Sequence, residues 1–122
     1  MAVTAITPKA LSWNEFDVDA LGMTAATAAA DGFTVDYGAQ DGKILLVFYN
    51  SNASTTARSA TIKAGNGIQG VADLESGDIA AGKYACVVVE SGWFKNVSGD
   101  NKGKVLVIPS HEELTMAAVV LP

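Results

Sequence analysis

The strongest constraint in this chain is its punctuation. From residue 33 onward, short apolar or alternating runs are cut at close intervals by clusters of Gly, Asn, Asp and Ser. "FTVDY" (33–37) alternates apolar and polar residues, the period of a half-buried strand. "KILLVFYN" (43–50) is a continuous run of β-branched, aromatic and Leu residues, the signature of a central strand. "TARSATIK" (56–63) alternates again, and "KYACVVVE" (83–90) reads as a buried strand. "WFKNV" (93–97), "KVLVI" (104–108) and "LTMAAVVL" (114–121) complete the series. Between them stand Asp31-Gly32, Asp41-Gly42, Asn50 to Ser54, Ser76-Gly77-Asp78 and Ser98 to Asn101, residue types that tolerate the positive φ of tight turns. About seven to nine short strands at this spacing predict an all-β fold, a single antiparallel β-sandwich of jelly-roll or Ig-like kind, over 33–122.

Residues 1–32 have a different texture, rich in Ala and Thr. "DALGMTAATAAAD" (19–31) has Ala-rich helix propensity, but it holds Gly22 and lacks an apolar stripe at i, i+3, i+4. The segment is expected to be an extended arm or irregular rather than a helix.

Length and charge limit the functions. At 122 residues one domain is expected. A net charge of −5 argues against a nucleic-acid partner, because the phosphate backbone demands a Lys/Arg patch. The charged share is only 17%, below the usual quarter, which suits a protein that hides surface against partners. No basic stretch followed by an apolar run opens the chain, and no apolar run reaches the ~20 residues of a membrane helix. A soluble protein made in a cytosol is expected. The single cysteine, Cys86, has apolar neighbours and is expected to be a buried, inert thiol.

One motif invites a chemical reading. "IKAGNGIQGV" (62–71) spells Gly-x-Gly-x-x-Gly with Gly65, Gly67 and Gly70, and Glu90 stands about 20 residues on, where a ribose-binding acid sits in dinucleotide-binding folds. The fingerprint needs a buried parallel strand before it and a helix after it. "SATIK" alternates and "VADLESGDIAAGK" has no helical stripe, so the glycines are read as a turn or bulge. The lone His111, in "IPSHEEL", is read as a turn residue between two strands. No nucleophile elbow and no HExxH spacing occurs, and "GDNKG" (99–103) falls short of a calcium loop. Neither a cofactor, a metal nor a catalytic residue is therefore expected.

The aromatics are the remaining candidates. Trp13 and Phe16, in "LSWNEF", lie outside the strand-rich part, where they either dock on the chain's own core or anchor onto a partner. Trp93 and Phe94 are adjacent, so a strand would send one to the core and the other to the opposite face. Trp13, Phe16 and Trp93 are the candidate contact residues.

Three stretches carry a family likeness: "DGKILLVFYNSNASTTARSATIKAGNGIQGVADLE", "VVVESGWFKNVSGDNKGKVLVI" and the closing "VVLP". Over residues 31 to 122 the chain resembles the small β-rich head decoration (cement, or minor capsid) proteins of tailed bacteriophages. The resemblance implies a non-enzymatic virion protein on the outer capsid surface. It implies synthesis in the host cytoplasm, the major capsid protein as partner, and a homo-oligomer, with a trimer the favoured form. No contact residue carries over from the family. The alternative is a tail- or fibre-associated sandwich module that binds host-surface glycans, with Tyr37, Tyr49, Tyr84 and Trp93 as candidate platforms.

Overall fold

The computed structural model describes residues 3–18, 21–38, 44–67 and 71–122. Among these residues nine strands and one short helix occur in chain order: β1 (Thr4–Ile6), β2 (Lys9–Ala10), β3 (Phe33–Asp36), β4 (Ile44–Asn50), β5 (Ala60–Ile62), β6 (Leu74–Glu75), β7 (Tyr84–Val87), α1 (Ser91–Phe94), β8 (Lys104–Pro109) and β9 (Leu114–Val120). They form a five-stranded sheet in the order β1-β3-β8-β5-β6 and a four-stranded sheet in the order β2-β9-β4-β7. The all-β sandwich expected from the strand spacing is present.

The longest apolar runs make the longest pairing. β4 and β9 lie antiparallel over seven residues, from Ile44 opposite Val120 to Asn50 opposite Leu114. Their alternate side chains (Ile44, Leu46, Phe48, Leu114, Met116, Ala118) meet Phe33, Val35, Ile62, Val105 and Val107 of the other sheet in one core cluster. A strand sends every second residue to the same face, so these side chains point inward although both runs are largely apolar along their whole length.

The sheets are mixed rather than purely antiparallel. β1 pairs in parallel with β3, and β2 in parallel with β9. The segment before residue 11 thus places one strand in each sheet. Residues 21–31 form turns and a bridge from Thr24 to Met116, while positions 19 and 20 lie outside the described residues.

Three local expectations are corrected. Residues 93–97 are not a strand: Trp93 and Phe94 end α1, and the chain is turned there by the Glu90 carboxylate, which accepts the Gly92 N–H at 2.8 Å. The run at 83–90 is not a buried strand: β7 is the edge of its sheet, and Tyr84 and Cys86 are exposed on its outer face. Cys86 is accordingly exposed, not buried. The strand expected at 56–63 shortens to β5, preceded by a bridge between Arg58 and Ile79.

Candidate interaction surface

The outer face of the four-stranded sheet is apolar where a sandwich usually presents polar residues to water. Val47 and Val119 on this face are buried even though they lie outside the core cluster between the sheets. Their cover is the segment that follows β2. Leu11, Phe16, Leu21, Val47, Tyr84 and Val119 line an open groove of about 640 Å³ between that segment and the sheet.

The backbone of the covering segment is set by Asn14, the one non-glycine residue with positive φ (59°) among the described residues. Asn tolerates the left-handed region better than most side chains. The resulting turn leaves Trp13 75% exposed and Phe16 fully exposed. Lys9 and Asp17 approach to 3.7 Å across its base. Val18 and Leu21 are also exposed, so the segment offers four large apolar side chains to solvent together with Tyr84 at the sheet edge. Neither Trp13 nor Phe16 docks on the core.

Trp93 lies elsewhere. It is half exposed on α1 and does not line the groove, whereas its neighbour Phe94 is buried in the core. Of the three candidates Phe16 alone lines the groove; Trp13 stands exposed on the same segment, and Trp93 lies apart on α1.

The other sequence candidates resolve into structural roles. Gly65 faces the α1 turn so closely that a Cβ there would stand 2.6 Å from the Lys95 carbonyl oxygen. Its N–H donates to the Trp93 carbonyl at 2.8 Å. Asn66 completes the clasp: its Oδ1 accepts the Val97 N–H at 2.8 Å and its Nδ2 donates to the Ser98 carbonyl at 3.1 Å. Gly70 lies outside the described residues. The polar groups of Gly65 and Asn66 are used within the protein, and Glu90 is occupied with Gly92.

His111 sits in the β8–β9 turn, where its Nδ1 accepts the Glu113 N–H at 3.1 Å. The Glu113 carboxylate takes Arg58 Nη2 at 2.7 Å and Asn52 Nδ2 at 2.8 Å. Those bonds, from Asn52 first and then Arg58, hold its carboxyl below the usual range. Among the described residues no group of three or more His, Cys, Asp or Glu is placed to hold a metal ion. No helix among them is long and apolar enough to cross a membrane.

Of the candidate glycan platforms, Tyr37 is buried, which pushes its phenol up to about 12. Tyr49 and Tyr84 pack ring to ring, centroids 4.6 Å apart and planes tilted by 34°. One residue that sequence reading missed is Asn50. It ends β4 in a phrase that reads as a turn, yet it is fully buried and ties the end of β4 to the connecting backbone at Thr56 and Ile79.

No protein family, no curated protein and no solved structure matches this chain.

Proposed function

We propose that this is a non-catalytic structural protein that binds the outer surface of a tailed-phage capsid and cements its lattice, with the major capsid protein as partner and a trimer as the working form. The observation that supports this reading is the exposed Trp13–Phe16 segment laid over an apolar sheet face. Isolated apolar side chains are common on protein surfaces, but a contiguous group marks a contact site. Trp and other large aromatics are the side chains that most often carry interface energy. Many weak copies of one such contact on a lattice give strong net attachment without any single strong site. The low charge of the chain fits a surface that ends up covered.

Co-sedimentation with expanded capsids of the encoding phage tests this. The wild-type chain should pellet with expanded capsids and not with unexpanded shells or free DNA. The double variant Trp13→Ala/Phe16→Ala should bind at least tenfold more weakly, because truncating a hot spot costs about 2 kcal/mol or more. Its melting temperature should stay within a degree or two, since both side chains are exposed. Absence of binding to every capsid form, together with saturable binding to a sugar, would overturn the proposal in favour of a glycan-binding module.

A further inference from the structure

We infer that β7 is a self-pairing edge: two copies of this chain associate through antiparallel β7–β7 contact about a two-fold axis, joining their four-stranded sheets into one. The inference rests on β7 and its flanks alone and stands apart from the capsid reading. A two-fold contact is also separate from any three-fold one, and in a three-fold assembly it would link copies of neighbouring trimers.

An edge strand has a row of backbone N–H and C=O groups with no strand beside them, and native proteins normally shield such rows with charge, proline or brevity. The four sheet edges here are β1, β2, β6 and β7. Two of them, β2 and β6, are only two residues long, and each carries a charge, Lys9 and Glu75. β1 has three residues. β7 is the longest at four, Tyr-Ala-Cys-Val, with neither charge nor proline. Among the described residues no strand pairs with its free side, and a cleft of about 210 Å³ beside it is lined by Ile62, Leu74, Ala85 and Val87 among others.

The residues on β7 are self-complementary. Inward and outward positions alternate through residue 90: Val89 is buried, while Tyr84, Cys86, Val88 and Glu90 are exposed. A two-fold axis normal to the sheet keeps outward residues opposite outward residues, so only every second register is allowed. Centring the axis on Cys86 sets Tyr84 opposite Val88 of the second copy, twice, and Cys86 opposite Cys86. It covers Tyr84 and Val88, which are 61% and 47% exposed in the single chain. Alternative registers set Glu90 against Tyr84 or leave Val88 uncovered. The apolar groove over the outer face reaches Tyr84 and Cys86, so pairing would run the two grooves together.

Cys86, the single cysteine, is a built-in reporter of that register. Directly opposed residues bring Cβ atoms to about 5 Å, close to disulfide distance. With copper–phenanthroline as oxidant, which removes two electrons and two protons from the thiol pair, the wild-type chain should give a covalent dimer in high yield. The variant Cys86→Ser/Val88→Cys should cross-link at least tenfold less, because its thiols would stand four residues, about 13 Å, apart. Mixing Cys86→Ser/Tyr84→Cys with Cys86→Ser/Val88→Cys should restore the dimer as a heterodimer. In sedimentation equilibrium of the full chain, Cys86→Lys should weaken self-association at least tenfold by setting like charges opposite each other. It should leave the melting temperature of the monomer unchanged. Equal cross-linking at positions 86 and 88, or self-association indifferent to Cys86→Lys, would overturn the inference.

Discussion

Replacing Asn50 by Ala should cost this protein about 3 kcal/mol, more than any exposed substitution. Asn50 is fully buried at the end of β4. Its Nδ2 donates to the Thr56 carbonyl at 2.9 Å and to the Ile79 carbonyl at 2.8 Å. Its Oδ1 accepts the Asn52 N–H at 2.9 Å. A net hydrogen bond is worth about 1 kcal/mol, and a buried group left without its partner costs about 1–3 kcal/mol. The Ile79 carbonyl keeps the Arg58 N–H at 3.0 Å, so the loss falls mainly on Thr56 and Asn52. The sum, about 3 kcal/mol, corresponds to a fall in melting temperature of roughly 10 °C for a domain of this size. Guanidinium unfolding at fixed pH measures the free energy. Hydrogen exchange at Asn52 and at residues 56–58 shows whether the loop has come loose from the bridge between Arg58 and Ile79. A loss under about 1 kcal/mol with those amides still protected would refute the view that Asn50 clasps the end of β4 to the connections at Thr56 and Ile79.

Two further outcomes follow from named contacts. The Glu113 carboxyl is held low by Asn52 and Arg58, so its contribution is present above the ordinary carboxylate range and lost as pH falls through the lowered value. Glu113→Gln should therefore reduce stability at neutral pH and flatten the acid limb of a melting-temperature profile, and a profile parallel to wild type would contradict that role. Gly65→Ala should destabilise by about 1–3 kcal/mol through its clash with the Lys95 carbonyl. Gly67→Ala meets the Val97 side chain at 3.1 Å and backbone no nearer than the Gly92 carbonyl at 3.9 Å, and should cost less, so chemical denaturation showing the reverse order would show that close backbone approach is not what Gly65 provides.

The sandwich is legible because short apolar or alternating runs, at 33–37, 43–50, 104–108 and 114–121, are cut at close intervals by turn residues. What the sequence withheld was long-range order. Nothing local tells "KYACVVVE" that it lies at an edge, since an apolar run is equally consistent with a sheet's centre, and so Cys86 was expected to be buried. The parallel pairing of β1 with β3 joins residues 4 and 33, beyond the reach of any turn signal. "WFKNV" has strand composition, but Glu90 accepts the Gly92 N–H and closes a helical turn in its place. Asn50 read as turn chemistry because Asn favours turns, and only the positions of Thr56 and Ile79 show it to be an interior clasp. Trp13 and Phe16 stand out by type and by their place outside the strand-rich region; that their segment lies over an apolar sheet face, with Phe16 lining the groove, is visible only in the fold.

The strand order also governs how the chain can be made. β8 lies at the centre of one sheet, and β9 is interior to the other. Both come after β3, β4, β5, β6 and β7 in the chain. Neither layer can close until residues 104–120 have been synthesised, so the earlier strands must wait with their apolar faces uncovered. Folding is then dominated by distant pairings, which places it in the slower class of small domains, roughly milliseconds to seconds. During that interval, the nascent chain is at its most vulnerable to aggregation and to proteases.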